Sequence, residues 1–133
     1  LPVSQFIYEN TYILEPDPDI TIVDPALATG AITTSLYNVE NGGLYIDNGR
    51  GYSRTGNIKP DISTVLSSGI TAGAVCQILN WGVVEGKDKD IRATDIKSYL
   101  IRGAVRESDV TYPNRQWGYG KLDVYQSFEV LKG

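Results

Sequence analysis

The stretch that most constrains the fold is Ser67 to Gly82, SSGITAGAVCQILNWG. Ser67 or Ser68 can cap a first helical turn, because a short hydroxyl accepts one of the backbone N–H groups left without a partner there. Ile70, Ala72, Ala74, Val75, Cys76, Ile78 and Leu79 then leave almost no polar side. A helix apolar all round is buried all round, so the stretch predicts a core helix, with Gly82 as a fitting stop. Gly69 and Gly73 each give up about 1 kcal/mol of helix propensity relative to alanine. That cost implies close approach of a neighbouring backbone, and Gly73 is expected to face one. Cys76 is expected to be a small buried hydrophobe.

What the chain lacks limits its chemistry. It has 133 residues and no histidine, so it cannot complete a Ser-His-Asp or Cys-His constellation. Histidine zinc sites are excluded, and the single Cys76 supplies neither a Cys-rich zinc site nor an internal disulfide. Only carboxylate chemistry or a carboxylate metal site remains open from within the chain. Glu15, Asp17 and Asp19 alternate with Pro16 and Pro18, but they lack the central Gly and distal Glu of an EF-hand and read as a solvated loop. The net charge is −4 and the Lys and Arg residues are scattered. Nucleic acid is not an expected partner without a basic footprint. No apolar run is long enough to span a bilayer. With 41% hydrophobic residues the chain is globular, and its first residue, Leu1, suggests a fragment or a processed chain.

Along the chain, Leu1 to Leu14 contains β-favouring pieces. Ile20–Val23 and Ala31–Tyr37 are β-branched runs that read as strands, with a turn bracketed by Pro25 and Gly30. A turn is expected at Asn41-Gly42-Gly43. Arg50 and Arg54 are candidate anion binders in the following loop, although solvated loop arginines are the simpler reading. After the charged connection Glu85–Asp90, Thr94 and Asp95 open a helix as cap and first-turn acid. Its inner face is Ile96, Tyr99, Leu100 and Ala104, and Gly103 can break it early. Gly118 and Gly120 flank Tyr119 where backbone is expected to pass close to other elements. Asp123 caps a last helix with Val124, Phe128 and Leu131 inward.

Three stretches together resemble the subtilisin-like serine protease family. Gly56-Asn57-Ile58-Lys59-Pro60-Asp61-Ile62-Ser63 is similar to G-x-I-K-P-D-[IVL]-x-A-P-G up to the point where A-P-G should begin. Ile70-Thr71-Ala72-Gly73-Ala74-Val75 resembles the central helix that follows the nucleophilic serine. Gly118-Tyr119-Gly120-Lys121-Leu122-Asp123 resembles the G-x-G-x-[ILV]-[DN] signature before the last helix. The wording is nearest to the clostridial branch, which includes the germination-specific Csp proteases and pseudoproteases. Ala31–Tyr37 resembles the V-I-x-V-G-A-Y strand, with Thr34-Ser35-Leu36 departing toward larger side chains.

The resemblance implies an α/β chain, the C-terminal part of a subtilisin-like three-layer fold with a mostly parallel sheet. Residues 1–19 would be the exit from an inserted domain and a linker, and residues 20–133 the C-terminal portion of the subtilase domain. Counting back from Ile70-Thr71-Ala72 places the family's nucleophile near Val65, which has no nucleophilic atom. No Gly-Thr-Ser is present, and about thirty residues that the family carries between Ser63 and Thr64 are missing, a count taken from the resemblance itself. Decay of the serine motif, removal of a loop from the sequence, or a shift of the nucleophile to Ser67 or Ser68 would each account for this. The last is the weakest, because both serines stand where a cap is expected. No catalytic residue, cofactor or metal ligand is assigned. The implied function is that of a pseudoprotease regulating spore germination through proteolytic activation of a cortex-lytic enzyme. The alternative is an incomplete piece of an active secreted subtilisin-like endopeptidase. Implied partners are the N-terminal part of the same domain, its prodomain, other Csp-type proteins or a pro-enzyme substrate, in a spore-associated or secreted setting.

Overall fold

A computed structural model describes residues 17–133. The elements in order are β1 (Thr34–Tyr37), β2 (Ile62–Val65), α1 (Ser68–Leu79), α2 (Ala93–Arg102) and α3 (Val124–Lys132). A single π-helical turn, Asn80–Val84, continues α1. The fold is mixed α/β. β1 and β2 pair in parallel, from Thr34 opposite Ile62 to Tyr37 opposite Val65. On the far edge of β2, the Ser63 N–H donates to the Gly120 carbonyl (2.8 Å) and the Leu122 N–H to the Ser63 carbonyl (2.7 Å), so this chain end extends the sheet. The proposed linker and inserted-domain exit fall largely on residues 1–16, as does the β-favouring stretch Leu1–Leu14, and these lie outside the described residues.

One core joins the sheet to all three helices. Ile62, Ala74, Ile78, Ile96, Leu100 and Ala104 are buried together, with Leu122, Val124, Phe128 and Leu131 packed against them. Ile96, Leu100 and Ala104 are therefore inward as their helical spacing requires, and Tyr99 is half-buried. The α2 start differs by two residues from expectation. Arg92 is the cap position and Thr94 lies inside the helix, while the Asp95 carboxylate accepts the Arg92 backbone N–H at 2.9 Å. Asp123 caps α3 as expected, accepting the Gln126 N–H at 2.9 Å.

The sheet is locked by charge as well as by apolar contact. Lys59 and Asp61 are 1% and 2% exposed. The Lys59 ammonium donates to the Asp61 carboxylate (2.8 Å), the Ala31 carbonyl (2.8 Å) and the Thr33 hydroxyl (3.1 Å). Asp61 also meets Lys97 of α2 at 2.6 Å and accepts the Thr33 N–H at 2.8 Å. A buried ion pair persists only when its remaining hydrogen-bonding positions are filled, and here the entry to β1, the entry to β2 and α2 fill them jointly.

Several expectations are corrected. The central helix is buried on one side only, by Thr71, Ala74 and Ile78. Ile70, Leu79, Val83 and Val84 are 42%, 37%, 47% and 76% exposed. Cys76 is exposed, not buried. Nothing stands within 4 Å of a Cβ built on Gly73, so that glycine faces open space among the described residues. Gly82 does not stop the helix. It sits buried inside the π turn, where a Cβ would lie 2.9 Å from the Asp88 carbonyl, and the chain turns away at Gly86 (φ +73°). Ile20–Val23 is no strand: Ile20 takes a left-handed φ of +57°, and the Thr21 N–H reaches the Arg50 carbonyl in a loop (3.0 Å). Of Ala31–Tyr37 only Thr34–Tyr37 is strand, because its pairing partner begins at Ile62.

Candidate functional site

β2 leads into α1 through two residues, Leu66 and Ser67. Val65, where the family resemblance puts the nucleophile, ends β2 and is half-buried. The turn is tight. Leu66 adopts φ +60° and is exposed, and the Ser67 N–H donates to the Val65 carbonyl at 2.6 Å. A non-glycine residue in the left-handed region costs on the order of 1 kcal/mol or more, so the surrounding packing must hold it there. A strand joined to a helix by two residues contains no substrate-lining loop between them.

Ser67 is the N-cap residue by position, in extended backbone (φ −164°, ψ 162°), but its hydroxyl makes no cap hydrogen bond. Ser68 is the first residue of α1. Both are exposed. These 133 residues include no histidine, so they do not themselves supply either serine with the imidazole base of a hydrolytic triad. Close by in sequence, the hydroxyls of Thr64 and Thr71 are buried with no hydrogen-bond partner. They were not singled out by residue pattern, since threonine in a strand or a helix reads as a packing residue. Among the described residues no group of three or more His, Cys, Asp or Glu side chains could hold a metal. Asp19, one of the acids considered for calcium, instead pairs with Arg115 at 2.7 Å.

The two candidate anion-binding arginines do not converge. Arg50 lines a cleft of about 310 Å³ with Tyr45, Ile46, Gln116 and Trp117. Arg54 borders a separate cleft with Ile20, Ile22 and Leu27. Close backbone approaches do occur where Gly118 and Gly120 were expected to allow them. A Cβ on Gly118 (φ +59°) would strike the Pro60 carbonyl, and one on Gly120 (φ +130°) would stand 2.5 Å from the Val105 carbonyl.

No protein-family model matches the chain, and no curated protein matches it. Among solved structures it is similar to the Clostridium perfringens CspB protease, with a TM-score of 0.80 and 29% identity over 90% of this chain. The match covers 31% of that protein, so the chain spans under a third of its length. The two-stranded parallel sheet and three helices thus have the fold of a subtilase-like fragment, similar to part of a Csp protease.

Proposed function

We propose that this chain is the C-terminal part of a Csp-like, subtilisin-like protein and that it acts by binding and not by hydrolysis. The observation that carries this reading is the strand-to-helix turn at Val65-Leu66-Ser67, which has an aliphatic side chain at the expected nucleophile position and no loop to line a substrate. The role that fits is a pseudoprotease regulating spore germination through proteolytic activation of a cortex-lytic enzyme, in a spore-associated or secreted setting. Its first partner would be the N-terminal part of the same subtilase domain with its prodomain. The exposed apolar residues of α1 and of the π turn after it, Ile70, Leu79, Val83 and Val84, are the surface such a part would cover, because exposed apolar patches mark interaction sites. Other Csp-type proteins or a pro-enzyme would be further partners.

The reading is tested with casein and a fluorophosphonate probe. The chain should release no peptides and label no serine; stoichiometric labelling of Ser67 or Ser68 would overturn it. A second reading, a piece of an active secreted endopeptidase, draws on the neighbour being a protease of which this chain matches 31%. Adding an N-terminal subtilase part that carries Asp and His separates the two, since only the second reading predicts hydrolysis in the complex. The same chain alone should self-associate and bind a hydrophobic dye through the bare side of α1. A monomeric, cooperative melt without dye binding would show that this side needs no cover.

A further inference from the structure

We propose that the cleft between the Leu44–Arg50 loop and the Gln116–Trp117 turn binds a small aromatic carboxylate, held by the Arg50 guanidinium. The chain has 12 Lys and Arg residues. Those that are buried or half-buried are Lys59, Lys97, Lys121 and Arg50. Lys59 and Lys97 meet Asp61, and Lys121 meets Glu107. Arg50 alone among them has no ion pair within the described residues. Withdrawing a cation from water without a counter-charge is unfavourable, and a carboxylate is the group that a planar guanidinium fork matches best.

The cleft walls suit the rest of such a ligand. No acidic side chain lines it. Tyr45, Ile46 and Trp117 present aromatic and aliphatic surface, and the Gln116 amide adds a polar group beside it. The volume, about 310 Å³, lies at the lower end of the roughly 300–1,000 Å³ typical of ligand sites, which fits a single ring with a short acid arm. The walls are also held in place. The Trp117 ring lies 5.8 Å from that of Tyr37 and has the Lys121 ammonium 4.9 Å from its centre. The Arg50 N–H donates to the Thr21 hydroxyl (2.9 Å), and the next N–H, of Gly51, to the Arg115 carbonyl (2.8 Å). A site fixed before binding loses less freedom when filled.

The probe is 3-phenylpropionate, with 3-phenylpropionamide as its uncharged match. Calorimetric titration of the unaltered chain should give saturable binding of the acid, with the amide at least about tenfold weaker, the loss expected when a charge-assisted hydrogen bond goes. Arg50→Gln should bring the acid down to the level of the amide, whereas Arg54→Gln, in the other cleft, should leave it unchanged. In a Trp81→Phe background, Trp117 is the sole tryptophan, and its emission should follow the same isotherm. Equal affinity for acid and amide, no saturable binding of either, or full affinity in a folded Arg50→Gln chain would each overturn the proposal.

Discussion

Replacing Gly103 with alanine tests how closely α2 and α3 are packed. Gly103 ends α2 at φ −79°, ψ −5°, a conformation open to any residue, so alanine meets no backbone strain there. Its cost is steric. A Cβ at this position would lie 2.5 Å from the Ser127 Cα and 2.7 Å from its Oγ, and closer still to its backbone nitrogen. Ordinary contact begins at 3.4 Å, so α3 must retreat by roughly 1 Å, the difference between 3.4 and 2.5. Ser127 cannot give easily. It is fully buried, its hydroxyl donates to the Asp123 carbonyl at 2.7 Å, and its N–H donates to the same carbonyl at 3.0 Å. Overpacking of this kind costs about 1–3 kcal/mol, against a gain of about 0.4–1 kcal/mol from restricting the unfolded chain. A net loss of about 1–2 kcal/mol is expected, which is roughly a 5- to 30-fold change in the opening equilibrium. Amide hydrogen exchange reads it locally, with α3 exchanging faster by that factor. Adding Ser127→Ala removes the hydroxyl but leaves the backbone atoms in place, so the double variant should not recover. Unchanged protection of α3 in Gly103→Ala, or full recovery in the double variant, would refute the packing argument.

Gly73→Ala should act in the opposite direction in the same chain, raising α1 stability by about 1 kcal/mol, because its Cβ enters open space; faster exchange of α1 would mean that the site is covered. Asp61→Asn should cost about 3–5 kcal/mol, since it leaves Lys59 buried without its counter-charge. Lys59→Met should cost less, because Asp61 keeps Lys97 and the Thr33 N–H; denaturant midpoints in the reverse order would refute the account of this cluster.

Features encoded within a few residues were legible in the sequence. The Asp123 cap, the first-turn Asp95, the inner face of α2 and the close approaches at Gly118 and Gly120 all follow from local pattern. β2 was not assigned, because Ile62-Ser63-Thr64-Val65 carries no alternation and is made a strand by partners 28 residues earlier. Ile20–Val23 shows the converse: β-branched residues favour a strand, but its neighbour is a loop. At the candidate site, the absence of histidine and of a nucleophile at Val65 was visible, while the left-handed turn at Leu66 was not, since leucine gives no signal for positive φ. The buried hydroxyls of Thr64 and Thr71 depend on packing that residue type does not report.

The helix α1 shows why an apolar sequence is not itself a statement of burial. From Ile62 to Val84 the chain carries no charged residue, which is the composition of an element meant to be enclosed. The described residues cover it only along Thr71, Ala74 and Ile78, against the sheet and the core shared with α2 and α3. That covered side is the one the Lys59–Asp61–Lys97 cluster stabilises, by tying β2 to α2 and to the residues before β1. Away from that strip there is open space at Gly73, and Ile70 and Leu79 of α1 and Val83 and Val84 of the π turn after it are exposed. A glycine there costs helix propensity with no neighbour to explain it, and large apolar side chains there gain nothing from water. Both costs disappear together if another backbone lies across Gly73 with apolar side chains on either side of it. In that case Gly73→Ala changes sign, stabilising α1 in the chain alone and weakening its complex with the N-terminal part of a subtilase domain. Titrating the wild-type and Gly73→Ala chains against that part would decide it: equal affinities would place the covering element elsewhere.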